Sequence, residues 1–319
     1  LPDPAFLFGK DRQQRMSLAL PGQMSFAQRY TALSGARVVT ILFLAVWIGL
    51  VILPLLVLFA YSFFETKTFV TVYDPSLKTW MTLFESGRWE VAIRTVRIAL
   101  TVTLIELACG FPFALWLAKG CRYKSVQAAV LTLLTIPFFL DMSSRTIVWR
   151  AILGREGLIN SLLMGLGITD QPMEWMLYSE FSVHFGMIAP YFPTMVLPIY
   201  LAMTFIDDDL IKASNDLGGS PLQTLLNVII PLSLPGIIAG VVFTLGPALA
   251  AWVEPGMLGG GFVNLLSNSV ESAYTALKYP VVAALSTFVI LILAVLLGLL
   301  LLLSRRVADL GASFKVMRS

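Results

Sequence analysis

The sequence predicts an all-α integral membrane protein with six transmembrane helices, and three observations carry that expectation. Hydrophobic residues fill 57% of the 319 positions and charged residues only 13%, with a mean hydropathy of +0.83; a soluble domain carries about 25% charged residues. Apolar runs near the ~20 residues needed to cross a bilayer recur along the chain. The basic residues collect in alternate connections, as expected where cytoplasmic loops are enriched in Lys and Arg. The net charge of +3 is small, so its placement says more than its size.

Residues 1–36 are polar and basic, carrying Lys10, Arg12, Arg15 and Arg29, and read as a cytoplasmic tail without the apolar core of a cleavable signal peptide. The run "VVTILFLAVWIGLVILPLLVLFAYSFF" follows and makes 37–64 the first span, about 40 Å long as a helix. Further spans are predicted at 91–118, 125–150, 181–206, 236–253 and 280–303. With the tail inside, 119–124, 207–235 and the C-terminal tail 304–319 share its side. Thirteen Lys and Arg then lie inside, counting Arg37 at the membrane edge, and five (Lys67, Lys78, Arg88, Arg155, Lys278) outside. Both termini are therefore expected in the cytoplasm. Pro54, Pro112, Pro137, Pro190, Pro193, Pro198 and Pro247 lie within the spans, where proline marks kinks of the kind transport proteins use. The segment "GREGLINSLLMGLGITDQPMEW" is too short to cross and reads as an outside interfacial helix and loop. Cys109 and Cys121, about 18 Å apart at helical rise, cannot pair with each other.

The most informative stretch is "NDLGGSPLQTLLNVIIPLSLPGI", Asn215–Ile237, a polar elbow between two spans. Leu210, Ile211, Ala213, Ser214 and Leu217 recur at helical spacing, and Asp207, Asp208 and Asp209 favour the helix start by opposing its dipole. Gly218 supplies the left-handed residue that ends that helix. Ser220 followed by Pro221 is an N-cap and first-turn pair for a second helix through Leu222, Leu225, Leu226 and Val228, expected to end at Pro231 and Pro235. Two short amphipathic helices at a fixed bend need a partner surface or the membrane edge to cover the apolar face.

This stretch resembles the EAA loop of ABC importer permeases, particularly those of spermidine/putrescine systems. The residues that match are Ala213, Asp216, Leu217, Gly218, Ser220, Thr224, Ile229, Ile230, Pro231, Leu232, Pro235, Gly236 and Ile237. "GFPFALWLAKG", "IPFFLDMSSRTIVW", "GREGLINSLL" and "EPGMLGGG" resemble the family's other segments in the same order. The resemblance implies a type I ABC importer permease (MetI-like) fold, with a first, peripheral helix and a five-helix permease core over 89–303. It implies that Lys212, Ala213, Ser214, Asp216, Leu217, Gly218, Ser220 and Pro231 form the coupling helix and its bend, docked on a cytoplasmic ATP-binding subunit. Three departures stand in the motif: Lys212 replaces the family's Glu, Ser214 its second Ala and Asn215 its usual Arg. The charge reversal at Lys212 puts the family's salt bridge there in doubt, with the three upstream aspartates as its substitute. The chain carries no G-x-x-x-x-G-K-[ST] motif, so ATP and Mg are assigned to the partner ATPase, no cofactor to this chain, and the chain is not read as an enzyme.

By the same resemblance the partners are two ATP-binding subunits, a second permease subunit, different or identical, and an extracytoplasmic solute-binding protein. The membrane is a bacterial inner membrane, and nucleic acid has no part. The substrate implied is a polyamine; family members also carry iron, phosphonates and opines, and the other class held open is a secondary transporter or membrane enzyme. A passage for an organic cation needs carboxylates and aromatic faces. Trp252 and Glu254 fit that need, against a reading as interfacial anchor and solvated loop residue, and Asp141 is a second candidate. Asp141 and Arg145, four apart, share a helix face and read first as an ion pair, then as pathway lining. Glu106 faces a helix contact or the pathway, and His184 reads as a hydrogen-bonded helix residue with no metal partners in view.

Overall fold

A computed structural model of the chain describes residues 26–67 and 70–316. Lys10, Arg12, Arg15 and Arg318, counted in the tails, lie outside the described residues. The chain divides into two units between Val57 and Leu58. The first consists of α1 (Phe26–Trp47), a wide π turn (Ile48–Ile52) and the start of α2 (Leu53–Tyr61). Helix α1 reaches back to Phe26, so residues 26–36 of the predicted tail are helical. Its apolar stretch with α2, Arg37–Tyr61, is long enough to cross a membrane.

The second unit opens with a hairpin, β1 (Glu65–Lys67) antiparallel to β2 (Val70–Val72), and α3 (Lys78–Glu85), tied back by a hydrogen bond from Thr79 Oγ1 to Phe64 O of 2.7 Å. Helix α4 (Arg88–Leu115) continues through a π turn (Trp116–Gly120). Then come α5 (Lys124–Thr135), a 3-10 turn (Ile136–Phe139), α6 (Met142–Leu153), α7 (Leu158–Gly165) and α8 (Glu180–Thr204). The elbow helix α9 (Asp208–Asp216) follows, then α10 (Pro221–Thr224), a π turn (Leu225–Ile229), α11 (Ile230–Ala250), α12 (Val253–Leu258), α13 (Leu266–Thr275) and α14 (Tyr279–Val316).

The centre of this unit is a three-helix packing of α4, α8 and α11, with α8 against α11 the most extensive contact. In lipid the hydrophobic effect supplies little drive between helices, so close backbone approach at small residues does the work. Gly110 on α4 leaves room for Met195 Cγ, 3.2 Å from where a Cβ would sit. Gly240 on α11 does the same for the Met195 carbonyl at 2.9 Å. Ile98, Val102, Met187, Leu245 and Leu249 fill one end of the packing, and Ala114, Met195, Ile199, Met203 and Ile229 the other.

Among the described residues, five helical stretches are individually long and apolar enough to cross a membrane. The predicted span 125–150 is the exception. It is a bent pair, Lys124–Phe139 and Met142–Gly165, meeting at 102°. Pro137 sits in the 3-10 turn, Leu140 is extended, and Asp141 caps a new helix, so the apolar run is sharply bent rather than one straight helix. The fifth span also differs from expectation: it begins at Pro221, not 236, and runs unbroken to Ala250 through Pro231 and Pro235. The reason is local. Proline lacks an N–H and its ring collides with the carbonyl four residues back. The π turn places an i→i+5 bond, Ile230 N to Leu225 O, immediately before Pro231, and widens the helix around the displaced carbonyl. The same device precedes Pro54, where Leu53 N bonds Ile48 O.

Candidate functional site

The elbow forms as its local sequence dictates. Asp207 caps α9, its carboxylate accepting from Asp209 N at 3.0 Å. At the other end Gly218 takes φ +78°, Gly218 N donates to Asn215 O at 2.8 Å and Gly219 N to Ser214 O at 2.9 Å. This is a Schellman closure, in which the two glycine N–H groups satisfy carbonyls that the helix end would leave bare. Ser220 and Gln223 then form a reciprocal capping box at the start of α10, with Pro221 at the first helical position. The Ser214 and Thr224 hydroxyls, 2.9 Å apart, join the two arms across the bend. Of the motif departures, Ser214 supplies this link and Lys212 donates to Asp209 Oδ1 at 2.8 Å. The substitute pairing expected for Lys212 is therefore present, on an exposed face where such pairs contribute little.

Ile211 packs into the core, whereas Phe205, Leu210, Leu217 and Leu222 remain exposed around the elbow. Lys119, on the π turn that ends α4, reaches across: its ammonium donates to Ile206 O and to Asp208 Oδ1, both at 2.6 Å. One contact satisfies a carbonyl just past the end of α8, and the other holds the first turn of α9. The Lys119 hydrogen bond and charge hold the Asp208 carboxyl below the usual carboxylate range. Pro231 and Ser220 frame the opposite arm, with Ala213 O accepting from Leu217 N and Asp216 exposed.

A second group of polar residues lies inside the bundle. Glu254, on α12, is only 2% exposed, which overturns its reading as a solvated loop residue. Helix α12 is drawn inward by Ser182 Oγ, which donates to Leu258 O at 2.8 Å, and by Gly186, whose bare face meets Leu258. The Tyr191 side chain and the Arg145 guanidinium lie close to the Glu254 carboxylate. Asp141 does not pair with Arg145. As the N-cap of α6 it has left the helical path, so four-residue spacing no longer puts the two on one face. Its carboxylate accepts from Ser143 N at 2.9 Å and Ser144 N at 3.1 Å, and Arg145 donates to Pro137 O at 3.1 Å. Trp252 is about half exposed, and its carbonyl accepts from Asn268 Nδ2 at 2.8 Å. His184 Nδ1 donates to Glu180 O at 2.6 Å, the helix-bound role expected of it.

The structure thus gathers Arg145 and Glu254 with Tyr191, and leaves Asp141 to helix capping. Sequence reasoning passed over Tyr191 and Lys119. A tyrosine in an apolar run and a lysine at a helix end carry no pairing signal when the partner is 89 residues away, as Asp208 is from Lys119.

Comparison with known proteins places this arrangement. Residues 110–309 match the family model of the binding-protein-dependent transport system inner membrane component. The spermidine/putrescine transport system permease protein PotB of Escherichia coli K12 is 32% identical over 268 residues, 83% of this chain and 94% of that protein. The inner membrane ABC transporter permease protein YdcU of the same organism is 26% identical over 79% of this chain and 84% of its own length. Among solved structures, a bacterial ABC transporter that imports the acidic polysaccharide alginate shares the fold, with a TM-score of 0.66 at 18% identity over 88% of this chain and 99% of that one. The chain belongs to the family of binding-protein-dependent transport system inner membrane components, as a multi-pass permease subunit of an ABC importer.

Proposed function

We propose that this permease passes a polyamine of the spermidine or putrescine type across a bacterial inner membrane. The observation that carries the substrate is the likeness to PotB along most of both chains, joined to a carboxylate, Glu254, buried beside a tyrosine. An ammonium group is attracted both by a carboxylate and by an aromatic face, and the attraction grows as water is excluded. Trp252, half exposed at the end of α11, offers a second aromatic face at the approach to that site.

The elbow is the docking surface for a cytoplasmic ATP-binding subunit. Its support is the exposed apolar set Phe205, Leu210, Leu217 and Leu222 on a rigidly closed bend, a surface that repays a partner groove. ATP and Mg act in that subunit, two copies of which serve this chain and a second permease subunit. A solute-binding protein delivers substrate on the opposite face. The thirteen basic residues on the elbow side against five on the other support a cytoplasmic elbow and cytoplasmic termini.

The test is reconstitution of the four-component complex in proteoliposomes, with uptake of labelled spermidine and putrescine. Removing the charge by Glu254→Gln deprives an ammonium of a contact worth about 1.5–3 kcal/mol, so uptake at limiting substrate falls about tenfold or more. Assembly survives, because the amide keeps the shape of the side chain. An intact complex that moves no polyamine removes the substrate; unchanged uptake by Glu254→Gln removes Glu254 from the pathway.

A further inference from the structure

Glu106 lies near the middle of α4 and is fully buried, at 0% exposure. Neither carboxylate oxygen has a hydrogen-bond partner, and no ion pair reaches it, among the described residues. It belongs to the face of α4 that also presents Val102 and Gly110 to the core. The Thr244 hydroxyl on α11 is a neighbour of Glu106 and is paired with the Thr194 hydroxyl, 3.1 Å away. Tyr191, one turn before Thr194 on α8, accepts from the Thr194 hydroxyl at its carbonyl, at 2.6 Å, and lies near both Glu106 and Glu254. The five side chains form a polar seam between α4, α8, α11 and α12, with a carboxylate at each end, inside packing that is otherwise apolar.

A carboxylate placed there without a partner is costly, and replacing such a group with a neutral one of the same shape is neutral or stabilising. Packing gives no reason for the acid, and an ionisable residue within a membrane bundle points to a ligand or pathway. The seam has a mechanical connection as well. The helix that carries Thr244 is continuous from Pro221 at the elbow to Ala250, so a displacement of the elbow travels about 35 Å along one rod to the side chain facing Glu106.

We propose that Glu106 is a second substrate-ammonium site, deeper along the seam than Glu254, reached when α11 moves relative to α4 and α8 during the transport cycle. Two carboxylates joined by Tyr191 and a threonine pair suit a linear cation carrying ammonium groups at separated positions, and disfavour a monovalent or anionic solute. This rests on the polyamine reading above.

The experiment uses the reconstituted complex with labelled spermidine and two readouts. First, Glu106→Gln lowers uptake about tenfold or more, the equivalent of one lost charged contact, while the melting temperature of the purified complex stays the same or rises. Second, in the wild-type complex turning over MgATP, a hydrophobic carbodiimide labels Glu106, located by mass spectrometry, and spermidine slows that labelling. Unchanged uptake in Glu106→Gln overturns the proposal. So does a loss of uptake accompanied by a lower melting temperature, which returns Glu106 to a structural role, and so does labelling that fails to occur or is indifferent to spermidine. Wild-type uptake separates the two readings: a wild-type complex that moves no polyamine refutes the substrate, whereas polyamine uptake that ignores Glu106→Gln refutes only this site.

Discussion

Gly236→Ala adds one methyl group where α11 lies close against the backbone of α8. A Cβ built on Gly236 would lie 2.4 Å from Ala202 Cβ, 2.6 Å from Pro198 O and 3.2 Å from Ile199 Cα. Non-bonded carbons rest at about 3.5–4.0 Å, so the first contact is short by about 1.1–1.6 Å. Two of the three obstacles are backbone atoms of α8 that no rotamer change can remove. The helices must therefore part by about 1 Å along their longest contact, and overpacking of this kind costs about 1–3 kcal/mol. The upper end applies because nothing flexible yields. Alanine also raises helix propensity by about 1 kcal/mol over glycine, which offsets part of the cost. Gly246, ten residues on in the same helix, separates the two effects, because no atom lies within 4 Å of its added Cβ. Gly246→Ala should thus hold or raise the melting temperature of the purified complex, and Gly236→Ala should lower it and reduce uptake. The assay is differential scanning fluorimetry beside proteoliposome uptake. If Gly236→Ala melts with Gly246→Ala and transports as well, backbone contact at Gly236 is not what packs α11 on α8.

Gly218→Val tests the elbow by conformation alone, since no atom lies within 4 Å of the added Cβ and the whole penalty comes from φ +78°. A left-handed L residue costs about 1–2 kcal/mol and a β-branched one more, so transport should fall while the spans still insert; normal uptake with normal substrate-stimulated ATP hydrolysis would refute the coupling role. Lys119→Glu should lower uptake by breaking the tie between α4 and α9, and adding Asp208→Lys should restore it by reversing the pair; a double variant no better than the single one shows that the tie has no functional weight. The pH dependence follows from the sign of the shift. Asp208 has its carboxyl depressed by Lys119, so the contact is present above the ordinary carboxylate range near ~3.9 and is lost only as pH falls through a still lower value. Uptake measured between neutral pH and the ordinary carboxylate range should therefore show no step that Lys119→Glu abolishes.

How much of this protein its sequence determined depends on the distance over which each feature is decided. The elbow was legible residue by residue because caps and helix stops act over three to five positions: Asp207, the Ser220–Gln223 box and the left-handed Gly218 stand where their chemistry places them. The apolar runs were legible because a bilayer accepts little else. The bend at Leu140 and Asp141 was not, since an apolar run looks the same straight or bent, and a capping aspartate spaced four from an arginine looks like an ion pair. Proline at 231 reads as a stop in any local rule; the helix passes it because a π turn absorbs the displaced carbonyl. The burial of Glu254, the isolation of Glu106 and the reach of Lys119 to Asp208 were decided by packing alone. Each depends on side chains brought together from helices far apart in sequence, and a burial or a pairing is a property of that contact rather than of the residue that enters it.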